Sequence, residues 1–188
     1  LRDAGRYTYN EDEDRAYFKG TAAHNTVVID GADQPRAYSP TPARWITGEG
    51  FDYVSGVNTS NTRASHRRSV FFVKPDYWLV ADFLAGSGDH RYDQYWHLGE
   101  SATGRVTLDA RTNQVTTPGM VLVSPTSEAT YVRRESWVSP RYRQRVKAPA
   151  LKRTEFSAGS FAWSTLIYPH DGRPPTISME QLPVVRGD

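Results

Sequence analysis

The stretch Ser69–Phe83, S-V-F-F-V-K-P-D-Y-W-L-V-A-D-F, carries the information that decides the fold. Two apolar runs, Ser69–Val73 and Tyr77–Phe83, flank Lys74-Pro75-Asp76. Proline presets φ and aspartate tolerates turn geometry, so the segment reads as a β-hairpin. One face of each strand should then fill a core, and burial should alternate along both. Working outward, Phe51–Val57 precedes the hairpin, and His90–Leu98 follows it after the loop Gly86-Ser87-Gly88-Asp89. Val27–Ile29 is β-branched throughout and is left through Asp30-Gly31, a turn signal. Further strands are expected at Met120–Val123, Thr130–Arg134, Lys152–Phe156, Phe161–Tyr168 and Thr176–Leu182. Ser139–Ala150, rich in Pro and Arg, reads as a long loop, and no helical period of useful length stands out. Many short strands at this spacing predict an all-β protein, an antiparallel β-sandwich spanning residues 1–188 as one domain.

Composition agrees. The 188 residues are only 38% hydrophobic, but 11 Tyr, 7 Phe and 5 Trp supply large buried areas. Twelve Pro and 14 Gly suit frequent turns. The formal net charge of +2 tilts toward an anionic partner without defining one. With no cysteine, disulfides, thiol nucleophiles and Cys-based metal sites are excluded. No apolar run approaches membrane-span length and no signal segment is evident. The start Leu1-Arg2-Asp3-Ala4-Gly5, without an initiator Met, reads as the interior of a longer chain.

Five histidines are available: His24, His66, His90, His97 and His170. His24 opens His-Asn-Thr at the mouth of the Val27–Ile29 strand, where a rigid sheet positions a side chain that still meets solvent. His90 and His170 have no obvious partner in sequence. A histidine in an aromatic strand is more commonly a packed, hydrogen-bonded residue than a ligand. No HxH or HExxH spacing occurs, so a metal site would have to be assembled by the fold. The acidic run Glu11–Asp14 lacks the alternating oxygen ligands and glycine of a calcium loop and reads as a solvated turn. Arg133, Arg134, Arg141, Arg143, Arg145 and Lys147, interleaved with Trp137 and Tyr142, form a basic stretch. It suits carboxylates or sulfates with stacked sugars, or else is simply a solvated face. The modest net charge argues against a dedicated nucleic-acid binder. There is no GxSxG, P-loop or Rossmann fingerprint.

Several strings in order resemble the heparinase II/III-like family of polysaccharide lyases. They are D-A-G-x-Y-x-Y at Asp3–Tyr9, A-H-N-T-V-V-I-D-G-x-D-Q at Ala23–Gln34, H-R-R-S-V-F-F-V at His66–Val73, Y-W-L-V-A-D at Tyr77–Asp82, Y-D-Q-Y-W-H-L at Tyr92–Leu98 and S-P-R-Y at Ser139–Tyr142. The resemblance implies an antiparallel β-sandwich preceded, in a longer chain, by a catalytic α/α toroid. It implies β-elimination on a uronic-acid-containing anionic polysaccharide, either heparin- or heparan-sulfate-like glycosaminoglycan or alginate. It also implies a secreted or periplasmic location, and little activity for the sandwich alone. It assigns His24 as base or charge neutraliser, with Asn25, Arg141 and Tyr142 as substrate-binding residues. It further implies a divalent metal, zinc or calcium, at His24, His66 and a downstream carboxylate. Ala37–Gly48 offers no Asp or Glu for that role, which leaves Asp52. The competing reading is a non-catalytic carbohydrate-binding or structural sandwich, in which His24 merely ties strands together.

Overall fold

A computed structural model describes residues 1–36, 43–61 and 63–180. Its strands are β1 (Val27–Ile29), β2 (Ala43–Thr47), β3 (Phe51–Asn58), β4 (Ala64–Val73), β5 (Tyr77–Gly86), β6 (His90–His97), β7 (Thr107–Asp109), β8 (Gln114–Thr117), β9 (Met120–Val123), β10 (Val132–Arg141), β11 (Gln144–Ser157) and β12 (Phe161–Pro169). They form two antiparallel sheets, one ordered β1-β6-β11-β10 and one ordered β2-β3-β4-β5-β12-β9-β8-β7. The expected hairpin is present as β4–β5, in continuous register from Val73↔Tyr77 to Ala64↔Gly86.

The alternation expected along that hairpin is clear in β5 and absent in β4. Val80, Asp82 and Leu84 are buried, while Phe83 between them is exposed. Most of β4 is half-buried on both faces. The physical reason is distance from the cores: β2 and β3 supply no residue to either main core cluster, and β4 supplies only Ala64, with Val70 packed against the other. Every residue of β2 is exposed.

Two main cores hold the layers together. Val80, Trp96, Leu98, Leu122, Leu151 and Ile167 close one, and Val27, Ile29, Leu84, Tyr92 and Trp163 close the other. Burying one such large side chain contributes on the order of 1.5–3 kcal/mol. A polar belt runs between the sheets. Arg153, almost fully buried, donates to Gln94 Oε1 (2.8 Å), Ser124 Oγ (3.0 Å), Glu128 Oε2 (2.5 Å) and Thr165 Oγ1 (3.0 Å). Its guanidinium also lies over the Tyr131 and Trp163 rings. Burial pushes the Glu128 carboxyl up, against the pull of Arg153.

Three sequence expectations are corrected. Ser139–Ala150 is no loop, because it forms the turn and facing arms of the β10–β11 hairpin. Its buried positions are Ala148, Pro149 and Ala150, its cations Arg141, Arg143, Arg145 and Lys147 are all exposed around the hairpin turn, and Pro140 falls where the register shifts. Proline is tolerated at such an irregularity because its missing N–H removes no ladder bond there. Thr176–Glu180 is not a strand; it is tethered by the Gln114 side chain, whose Oε1 accepts from Ile177 N. The rest of that expected strand, Gln181 and Leu182, lies outside the described residues. A short helix, α1 (Glu13–Lys19), replaces the solvated turn expected at Glu11–Asp14. Asp12 caps it by accepting from Arg15 N, and Glu13 and Asp14 complement its N-terminal dipole. Seven residues, of which only Phe18 is buried, are too few for a readable period.

Candidate functional site

His24 follows a single 3-10 turn, Thr21–Ala23, that directs the chain into β1. The turn is held from below by Asp33, whose carboxylate accepts from Thr21 N at 2.7 Å. His24 Nδ1 donates to Asp3 Oδ2 at 2.7 Å, and the imidazole side chain is 36% exposed. Nε2 makes no hydrogen bond to the described residues, so the ring presents one fixed edge to Asp3 and a free nitrogen outward. Burial raises the Asp3 carboxyl, but the hydrogen bonds from His24 and Gly5 N outweigh it and hold the group below its ordinary value. Asp3 therefore stays ionised and selects the His24 tautomer whose Nε2 lone pair is free.

The backbone under His24 is anchored twice. Asn25 Oδ1 accepts from His97 N at 2.6 Å, and Asn25 Nδ2 donates to the Arg2 carbonyl at 3.3 Å. Both ends of the Asn25 amide are thus engaged within the protein. Arg68 Nη1 donates to the Asn25 carbonyl, while its Nε and Nη2 grip Asp82 at 2.7 and 2.8 Å. Asp82 also accepts from His66 Nε2 (2.6 Å) and Gln94 Nε2 (2.6 Å). Complete burial would push this carboxyl up; Arg68 and His66 reverse that and hold it far below the carboxylate range. His97, at the inner end of this framework, donates Nε2–H to the Ala22 carbonyl at 2.9 Å. Burial depresses its pKa, which keeps it neutral.

The residues expected to hold a divalent metal do not converge. Asp52 accepts from Lys74 at 2.8 Å and from Thr47 Oγ1. It faces Phe72, six residues along β4 from His66, a separation of roughly 20 Å at strand rise. His66 is committed to Asp82, and His24 to Asp3. Among the described residues, the buried polar atoms left without a partner belong to His90, Tyr92 and His170, none of them in this set. Among the described residues no three His, Asp or Glu side chains are arranged to hold an ion. His24, His66 and Asp52 do not fit a metal centre. Nor do Arg141 and Tyr142 meet His24: they sit at the β10–β11 turn, where the Tyr142 ring lies 5.7 Å from that of Tyr9. His90, without an evident partner in sequence, pairs with Asp30 through Nδ1 at 2.9 Å.

Asp3, Arg68 and Asp82 are the site residues that sequence reasoning missed. The strings containing them were visible, but nothing in their spacing reveals that residue 3 meets residue 24. For Arg68 and Asp82 a signal existed. Two cations at i and i+2 on β4 face a carboxylate on β5, and a period of two places all three on one face.

Comparison with known proteins agrees with this frame. The family model described as Heparinase II/III-like, C-terminal, matches residues 1–159. The chain belongs to that family. Within it, a heparin-sulfate lyase of Pedobacter heparinus is 27% identical across 95% of this chain, and a heparin-sulfate lyase of Bacteroides stercoris is 28% identical across 77%. The crystal structure of the heparan sulfate lyase HepC from Pedobacter heparinus superposes with a TM-score of 0.84 at 27% identity, covering 94% of this chain. The heparinase II/III-like C-terminal fold is therefore the antiparallel β-sandwich seen here. The chain spans only 29% and 23% of the lengths of those two lyases. No described helix is long and apolar enough to cross a membrane.

Proposed function

We propose that this chain is the C-terminal β-sandwich of a polysaccharide lyase that cleaves heparin- or heparan-sulfate-like glycosaminoglycan by β-elimination at a uronate. The preceding α/α toroid would complete the catalytic cleft, and the enzyme would act outside the cytoplasm, where such polymers occur. The observation that carries this reading is the His24–Asp3 pair, oriented, half-open to solvent and with Nε2 free. The relatives' names favour glycosaminoglycan over alginate.

The reaction removes the C5 proton of the uronate, expels the C4 oxygen and leaves a C4–C5 double bond. Negative charge builds on the carboxylate side of the ring as the proton leaves. Neutral His24 offers Nε2 as the base, with Asp3 stabilising the imidazolium that forms; already protonated, the same nitrogen would neutralise the carboxylate instead. In either role the group acts chiefly in the transition state. Arg68, Asp82 and Asn25 contribute by fixing the loop. The test is His24→Ala in the chain joined to its toroid, followed by the ultraviolet absorbance of the unsaturated product. Turnover should fall on the order of a hundredfold or more with little change in the Michaelis constant. Normal turnover with a much lower melting temperature would make His24 a structural tie and favour the non-catalytic module.

A further inference from the structure

The outer face of the smaller sheet carries a recess beside the His24 loop. In β6, Gln94 and Trp96 point into the sandwich, so Tyr95 and His97 point out. The register places His97, Ala150 and Arg134 on one rung, and Tyr95 and Lys152 on the next. Together with Tyr17 of α1, these six side chains line a cavity of about 280 Å³. Tyr17 is fixed in place by accepting from Trp137 N, an amide on the free edge of β10, at 2.9 Å. Ala150 leaves the floor deep, while Tyr17 and Tyr95 supply ring surface of the kind on which sugar C–H faces pack.

The charges facing this recess do not cancel. Lys152 Nζ is offset by Asp93 at 3.1 Å and lies 5.6 Å from the centre of the Tyr95 ring. Glu135 is taken by Lys147 at 3.0 Å. His97 is neutral through burial. Arg134 is exposed and makes no hydrogen bond or ion pair with the described residues. One guanidinium is thus left over at the rim, with the planar donor fork that suits a two-oxygen anionic group. The recess also abuts the His24 loop, since Ala22 belongs to its wall and His97 bonds both Ala22 and Asn25.

We propose that this recess is a saccharide subsite in which Arg134 takes an anionic group, sulfo or carboxylate, of a sugar neighbouring the one at His24. The inference rests on the glycosaminoglycan reading above. Arg134 then orients polymer without touching the bond that breaks.

The 188-residue chain and its Arg134→Gln variant would be titrated with a heparan sulfate tetrasaccharide and with its fully desulfated counterpart, following amide shifts by NMR. Arg134 is exposed, so the variant should fold, and matching melting curves would establish that. The expected result is a binding constant weakened about tenfold or more in Arg134→Gln, as loss of a charged hydrogen bond implies. Shifts should centre on Tyr95 and Ala150. Loss of the Arg134 dependence with the desulfated probe assigns the occupant as sulfo; persistence assigns it as carboxylate. Equal binding by both proteins, or no binding by either, overturns the subsite. The lyase reading is judged separately, by turnover of His24→Ala, and survives that failure.

Discussion

Replacing Asp82 with Asn should be among the most damaging single-atom changes available in this fold. The carboxylate is completely buried and accepts from His66 Nε2, Arg68 Nε, Arg68 Nη2 and Gln94 Nε2 at 2.6–2.8 Å. Asparagine keeps the shape but turns one acceptor oxygen into an NH₂ that must face a donor. It also leaves the Arg68 charge, about three-quarters buried, without its counter-ion. Breaking a buried pair in this way costs about 3–5 kcal/mol. For a chain of this size that corresponds to a fall in Tm of roughly 6–20 °C. The dependence on pH has a definite sign. The folded carboxyl lies far below its ordinary value, so its contribution is fully present above the unfolded pKa, about 3.9, and is lost as pH falls below that. The Tm gap between wild type and Asp82→Asn should therefore be constant from neutrality to about pH 5 and narrow below about pH 4. Thermal melts by circular dichroism across that range test both statements. A variant melting within about 2 °C of wild type at pH 7 would refute the account, because the belt would then be contributing almost nothing.

Three further outcomes are expected. Asp3→Asn, in the chain joined to its toroid, should lower turnover roughly tenfold or more but less than His24→Ala, because the imidazole loses its orienting anion and keeps its nitrogen. His97 is held neutral by burial, so stability should decline as pH drops below about 6.5, where the unfolded chain takes up the proton first. Urea midpoints from pH 7.5 to about 5.5 should show a shallower decline in His97→Gln. Gly5 has φ +76° and stands so close to the Ser139 carbonyl that a Cβ would meet it at 2.6 Å. Gly5→Ala should cost roughly 1–2 kcal/mol or more and speed amide exchange at Ser139, whose N–H donates to Ala4.

The local sequence determined a great deal by itself. Alternating and β-branched runs specified β1, the β4–β5 hairpin, β6, β9 and β12, because a strand's pattern of burial is written at period two within its own few residues. His24 was legible for the same reason: it stands at the entrance to a run that can only be a buried strand. Signals failed where burial came from elsewhere. The β10–β11 arms look like a basic loop because residues 141–147, which carry the cations, are exposed around the hairpin turn, and α1 is too short to show a period. Only the tertiary structure could bring Asp3 to His24 across 21 residues, or Arg68 to the Asn25 carbonyl across 43. It alone could set Asp52 against Lys74 and away from His66, separating a proposed set of metal ligands. Periodicity records which side of a strand meets the core, whereas a site is made where strands distant in sequence end side by side. That proximity follows from sheet order, and sheet order is decided by the packing of the whole chain.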